Sequence, residues 1–332
     1  MHSTAYDLPS PPDTEPAEDV RLDPDLPLGF DRRGALRLGF DTPVARIDGL
    51  GAGVERFIAA LRAPVPRSRL AQVARRCGVP TQQIPALLSE LEEALVPAAP
   101  RMRPGSAVPP PSEMPLNARR VRLIGDGLPA AALRSMLERS GCRVLPQRSA
   151  RGPAAPADLV VFLSRFGWPV TGSQHALATG IPHLAVRFSD RSVEISPVIA
   201  GNGSPCITCL ALHDRDRDPD QVDLAIQLRE TVPASETAET SELAAALVIR
   251  AIADARREVS PVSGGAQGLR LSCRRGAVLE IPSPRPARPH PSCDCHSFES
   301  RELSETVVDT PRRNAQRRGF AATGTDLSAR SA

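Results

Sequence analysis

Arg120-Val-Arg-Leu-Ile-Gly-Asp-Gly-Leu-Pro-Ala130 is the stretch on which the fold turns. Arg120 to Ile124 reads as a strand. Gly125-Asp-Gly127 is a turn, and Pro129 is at home in the first turn of a helix. That helix is expected over Pro129 to Ser140, with Gly141 closing it. Strand, glycine turn and helix in this order are the setting of the Gly-x-Gly-x-x-Gly nucleotide fingerprint, with Ala130 in the third glycine position. Downstream, Cys142 to Leu145 and the apolar run Asp158 to Ser164 read as strands, the second of the kind buried in a parallel sheet. Gln174 to Thr179 reads as a helix, and Pro182 to Phe188 and Val193 to Ile199 as strands. The expected class is α/β, with a Rossmann-like domain over residues 118–296.

The fingerprint is degenerate. The strand that should end in a ribose-binding acid runs Arg143-Val-Leu-Pro-Gln147, and Ser164 is followed by Arg165-Phe-Gly-Trp168. The chain has no lysine, so all 41 basic residues are arginine. No Walker lysine, Schiff-base lysine or lysine general base can exist here. Gly125 and Gly127 are read as the remnant of a nucleotide loop, with no cofactor-binding or catalytic residues assigned.

Two cysteine pairs carry the strongest chemistry. Cys206-Ile-Thr-Cys209 and Cys293-Asp-Cys295 each lie beside turn-forming residues. Four thiolates from two short knuckles suit a closed tetrahedral zinc site. A redox Cys-x-x-Cys usually opens a helix after a strand, whereas Cys206 to Cys209 reads as lying in a Gly/Pro loop. Free thiols, or a ligand from His290 or His296, remain open readings. Cys77, Cys142 and Cys273 fall in apolar patterns and read as core thiols. His213-Asp-Arg-Asp-Arg-Asp-Pro-Asp220 starts like a calcium loop but has Pro219 at the glycine position and Ala225 at the glutamate position, so a solvated charge run is expected. Glu242 to Arg257 reads as a helix, Leu269 to Cys273 and Ala277 to Ile281 as a hairpin, and Pro282 to Pro291 as an extended arm.

The N-terminal part reads as a separate module. Residues 1–25 are Pro-rich and acidic and are expected to be disordered. Over residues 26–97 the pattern gives a hairpin around Asp31 to Gly34, a strand Ala35 to Phe40, and helices Val54 to Leu61 and Arg67 to Cys77. Thr81 would cap a third helix reaching Leu95. This is the outline of a winged helix. Its presumed recognition helix, Gln82 to Leu95, carries Glu90, Glu92 and Glu93 and no base, which makes it a poor DNA reader. Residues 98–117 form a Pro-rich linker, and 297–332 a polar tail expected to be disordered. Net charge is +3, which does not argue for nucleic acid. Neither a signal peptide nor a membrane span is expected, and the seven cysteines read as cytoplasmic thiols or metal ligands.

Val198-Ile-Ala-Gly201, Ser204-Pro-Cys-Ile-Thr-Cys209, Leu212-His-Asp-Arg-Asp-Arg-Asp-Pro219 and His290-Pro-Ser-Cys-Asp-Cys295 together resemble the bacterial ThiF-type (ubiquitin-activating-enzyme-like) proteins of azole-modified peptide clusters. The resemblance covers roughly residues 28–296. It implies a cyclodehydratase partner, or leader-peptide-binding protein, of bacteriocin biosynthesis, with a winged-helix module ahead of a ThiF-like scaffold that has lost adenylation. The implied partners are a ribosomal precursor peptide and a YcaO-type ATP-dependent enzyme; a homodimer stays open. The implied function is an adaptor, with Leu36, Leu38, Phe40, Ile84 and Leu88 as peptide-binding candidates and structural Zn2+ on Cys206, Cys209, Cys293 and Cys295. Two other readings stand beside it: an active adenylating enzyme, and a winged-helix DNA-binding regulator.

Overall fold

The computed structural model describes residues 19–97, 119–145, 156–200, 205–257, 267–274 and 276–295. Residues 1–18, the linker 98–117, His296 and the tail 297–332 lie outside the described residues.

The N-terminal part starts earlier than its composition suggests. Residues 19–25 are ordered, because Val20 and Leu22 alternate inward along a strand, β1 (Asp19–Leu22). Next come β2 (Leu28–Phe30), β3 (Leu36–Leu38) and β4 (Ala45–Ile47), an antiparallel sheet in the order β2-β3-β4. α1 (Ala52–Ala60), β5 (Val65–Pro66) and α2 (Leu70–Cys77) follow, and Gly78 closes α2 in the left-handed region at φ 82°. The expected long third helix is broken into pieces. It is a 3-10 turn (Thr81–Gln83), α3 (Ile84–Glu90), a second 3-10 turn (Glu92–Ala94) and β6 (Leu95–Pro97). Pro85 sits in the first turn of α3, and Thr81 makes no capping hydrogen bond. Leu91 and Ala94 are fully buried, and the chain straightens after them so that β6 can pair with β1. β5, β1 and β6 make a second small antiparallel sheet.

The rest of the chain builds one mixed sheet. Its strands and helices run β7 (Arg120–Ile124), α4 (Gly127–Arg139), β8 (Arg143–Leu145), β9 (Leu159–Arg165), α5 (Val170–Ala178), β10 (His183–Phe188), β11 (Ser192–Ile195), α6 (Ile207–Arg217), α7 (Gln221–Leu228), α8 (Ala238–Arg257), β12 (Gln267–Arg274), β13 (Ala277–Val278) and β14 (Ser283–Pro286). β8, β7, β9 and β10 are parallel neighbours; β11, β12 and β13 continue the sheet antiparallel, and β14 also pairs with β12. The side-chain period of two divides the core. Val121, Leu123, Leu159, Val161, Leu184 and Val186 face α4 and α8. Val160, Phe162 and Ala185 face α5 and α6. Helices therefore cover both faces of a buried parallel sheet. Cys142 and Cys273 are buried and Cys77 half-buried, as core thiols should be.

The two parts are locked together. Phe40 packs edge-on against Phe166, with ring centroids 5.1 Å apart. The carboxylate of Asp190 accepts the backbone N–H groups of Phe40 and Asp41 at 2.8 and 3.0 Å. Asp41 in turn accepts the hydroxyls of Ser189 and Ser192 at 2.7 and 2.8 Å. The Gln227 amide brackets the free edge of β2, accepting from Phe30 N–H at 2.9 Å and donating to its carbonyl at 2.8 Å.

Candidate functional site

The four paired cysteines converge. Cys206 caps the N-terminus of α6 and Cys209 lies one turn on, so both sulfurs face the same side. This corrects the loop reading of that knuckle: it opens a helix, because Ile207 and Leu210 bury into the core beside α5. Cys293 and Cys295 come from the turn after the C-terminal arm. Sγ atoms lie 3.5 Å apart for Cys206 and Cys293, 3.4 Å for Cys209 and Cys295, and 3.8 Å for Cys206 and Cys209. All four lie within 4.8 Å of one another. A tetrahedral ion with metal–sulfur bonds of about 2.3 Å needs sulfur–sulfur edges of roughly 3.8 Å, so the donor set fits. No disulfide joins any of the seven cysteines, all of which lie in the described residues.

The thiols are not equivalent. Burial pushes Cys206 up, but the N–H of Cys209 and hydrogen bonds from neighbouring side chains outweigh it and hold this thiol below its ordinary value. Burial pushes Cys293 up to about 11 and Cys295 higher still. His290 supports the knuckle. Its carbonyl accepts from Cys293 N–H at 2.9 Å, its Nδ1 accepts from Ser292 N–H at 3.0 Å, and its Nε2 donates to Asp216 at 2.8 Å. With both ring nitrogens engaged this way, His290 is part of the frame around the cluster.

The charge run beside the first knuckle is solvated only in part: Arg215, Asp216 and Arg217 are exposed, and Arg215 pairs with Asp216, but Asp214 and Asp218 depart from the sequence expectation. Asp214 is buried on the inner side of α6, because two arginines from the sheet and the arm converge on it. It pairs with Arg187 at 2.9 Å and Arg285 at 2.6 Å, and accepts the Trp168 indole N–H at 2.8 Å. Arg187 also pairs with Glu194, which bonds Arg285 at 2.5 Å and Arg270 at 3.0 Å. Both Arg187 and Arg285 lie over the Trp168 ring, 4.5 and 5.3 Å from its centre. Burial raises the Asp214 carboxyl, but Arg187 and Arg285 outweigh it and hold it below the usual range. Asp218 leaves the run entirely and pairs with buried Arg37 at 2.7 Å. The arm expected over Pro282 to Pro291 is thus fixed three ways: β14 pairing, the ion network and the cysteines.

The glycine turn is intact in backbone and filled in space. Gly125 has φ 135° and Gly127 φ 77°, so both need glycine. A Cβ on Gly127 would collide with Glu236 Oε1 and lie 2.8 Å from Arg165 Nη2. Arg165 grips Glu236 through two bonds of 2.6 and 2.8 Å and reaches Asp126 at 2.9 Å. The space left above the turn is a cavity of about 190 Å³, bounded also by Arg229 and Phe188. That is below the roughly 300 Å³ at which small-molecule pockets begin. A carboxylate of the chain itself therefore stands where a helix N-terminus would receive a phosphate.

The peptide-binding candidates are packed inside the protein. Leu36, Leu38 and Ile84 are buried in the N-terminal core, Leu88 is half-buried against it, and Phe40 is buried at the junction with Phe166, Leu224 and Leu228. β3 is the middle strand of its sheet, paired on both sides, so a peptide cannot add along Leu36 to Phe40. With β2 bracketed by Gln227, the remaining edge is β4, against which α3 packs. Sequence periodicity located the strand but gave no sign of β4, which is three residues long.

No family model matches the sequence, and no curated protein matches it. Among solved structures the chain is similar to a heterocyclase in complex with substrate and cofactor (17% identity, 82% of this chain and 38% of that one, TM-score 0.40). It is also similar to E. coli MccB with SeMet MccA (12% identity, 84% and 99% covered, TM-score 0.39). A third is the E. coli microcin synthetase McbBCD complex (12% identity, 82% and 99% covered, TM-score 0.37). The chain spans about two fifths of the two heterocyclase chains it matches, 38% of one and 43% of TruD. Among the described residues, no helix is long and apolar enough to cross a membrane. The solved structures that this chain resembles thus include heterocyclases, MccB and a microcin synthetase complex.

Proposed function

We propose that the chain is a non-catalytic, zinc-stapled adaptor. It binds the leader of a ribosomal precursor peptide and presents the peptide to a YcaO-type cyclodehydratase that makes thiazoline or oxazoline rings. In this reading residues 26–97 are a winged-helix recognition module and 118–296 a Rossmann-like, ThiF-type body. The observation that carries the non-catalytic part is the Arg165–Glu236 pair seated over Gly127. It narrows the space above the turn to about 190 Å³, and no lysine is present to neutralise a triphosphate.

The leader would add as a strand on the outer edge of β4 (Ala45–Ile47), which carries no partner strand among the described residues. Backbone hydrogen bonds would give affinity, and half-buried Val44 and Leu88 would give side-chain selection. This moves the site one strand away from Leu36, Leu38 and Phe40 while keeping Leu88 and α3. Cys206, Cys209, Cys293 and Cys295 would hold Zn2+ with all four positions filled, so the ion adds folding energy and no open site for chemistry. The partner enzyme gains through effective concentration of its substrate.

Calorimetric titration of the full chain with the precursor peptide of its own gene cluster tests this. Saturable binding in the micromolar range is expected, weakened by Leu88→Glu. A Kd weaker than about 1 mM contradicts the adaptor role.

A further inference from the structure

The charge of the N-terminal module is sharply divided. Residues 56–89 contain Arg56, Arg62, Arg67, Arg69, Arg75 and Arg76 and no Asp or Glu. All six arginines are exposed. Arg69, Gln72 and Arg76 follow one another at i, i+3 and i+7 along the outer side of α2, with Arg75 beside them; Leu70 and Ala74 take the buried side. The opposite composition lies at the start of the chain. Residues 1–18 contain Asp7, Asp13, Glu15 and Glu18 and no arginine.

The fold brings these two stretches to the same place. β1 pairs with β5 antiparallel, Asp19 opposite Pro66 and Val20 opposite Val65. Arg67 follows Pro66 directly, so β1 begins at Asp19 beside the entrance to the arginine face. Pro9, Pro11, Pro12 and Pro16 favour an extended segment. Twelve extended residues reach about 37 Å at about 3.1 Å each, whereas α2 is about 12 Å long at about 1.5 Å per residue.

We infer that the arginine face of α2 is a docking surface for an acidic, proline-rich segment, and that its occupant is residues 7–18 of this chain. The contact is electrostatic and shallow, so it is reversible and screened by salt. It covers the face that would otherwise attract nucleic acid phosphates. The inference does not depend on the adaptor reading, since it uses neither β4 nor the glycine turn.

Tyr6 is the single tyrosine of the chain and stands next to Asp7, which gives a direct probe. The full chain is produced with 3-fluorotyrosine and its one fluorine resonance is followed by NMR. At low salt the line should be broad, as for a residue held on the body. It should sharpen severalfold at about 1 M salt, where the screening length is about 3 Å. The same sharpening is expected in an Arg69→Ser/Arg75→Ser/Arg76→Ser variant and in an Asp7→Asn/Asp13→Asn/Glu15→Gln/Glu18→Gln variant. A narrow line at low salt in the unmodified chain overturns the inference. So does a broad line that neither salt nor the arginine variant changes. Circular dichroism of each variant confirms that the module itself stays folded.

Discussion

The two ends of α/β body chemistry, the cysteine cluster and the glycine turn, have been treated in opposite ways. At the cluster every donor that a tetrahedral ion requires is in place, from two segments whose contacting pairs are 86 and 87 residues apart in sequence. At the turn the backbone is preserved, yet Glu236 and Arg165 occupy the space it frames. One site presents a complete donor set and the other is occupied by the chain's own side chains. The first ties the C-terminal arm to the body; the second is closed by an internal ion pair.

The largest effect should come from the cluster. Cys206→Ser or Cys293→Ser should abolish stoichiometric metal, measured by elemental analysis, and release the C-terminal arm to proteolysis. Structural zinc can contribute on the order of 10 kcal/mol in small domains. Full zinc content with unchanged stability would show that the four sulfurs are not one site.

Next is the buried ion network. Asp214→Ala leaves Arg187 and Arg285 short of a partner in the interior. Breaking such a pair costs roughly 3–5 kcal/mol. Denaturant unfolding measures it, and the single Trp168, which loses its indole acceptor, reports the change in emission. An effect under about 1 kcal/mol would place the network with ordinary surface pairs.

The junction of the two parts should respond to pH. Burial, with Asp41 alongside, pushes the Asp190 carboxyl up to about 6. A carboxyl raised in the folded state binds its proton more tightly there than in the unfolded chain. Its contribution is thus present at low pH and lost as pH rises through about 6. Melting temperature should rise between pH 7 and pH 5 in the natural chain and rise less in Asp190→Asn. Below that window the lowered carboxyls Asp158 and Asp214 are protonated and stability falls again.

The smallest effect sharpens the glycine turn. Glu236→Gln keeps the shape but removes the charge that holds Arg165. A modest loss of stability is expected, about 1–3 kcal/mol for a weakened charged hydrogen bond, with no gain of ATP turnover.

These regions also differ in how far the sequence foretold them. Among the parallel strands β9 was legible because Leu159 to Leu163 is a continuous apolar run, and the glycine turn because φ above zero calls for glycine. The four cysteines were legible by residue type alone. Three things were not. β1 lies in a stretch whose composition is acidic and Pro-rich, and two inward residues, Val20 and Leu22, were enough to order it. β4 and β6 are too short to show a period. Asp214 and Asp218 look like solvent charges in sequence, and only the approach of Arg187, Arg285 and Arg37 from distant segments reveals Asp214 as a buried partner and Asp218 as a half-buried one. Long-range pairing of charges leaves no local signature.

On the proposed function this body supports chemistry done elsewhere and performs no adenylation of its own. ATP–pyrophosphate exchange, measured on the metal-loaded full chain with the precursor peptide present, is the decisive test. The filled turn predicts no exchange above the protein-free background. Peptide-dependent exchange that Glu236 or Arg165 substitutions alter would contradict it.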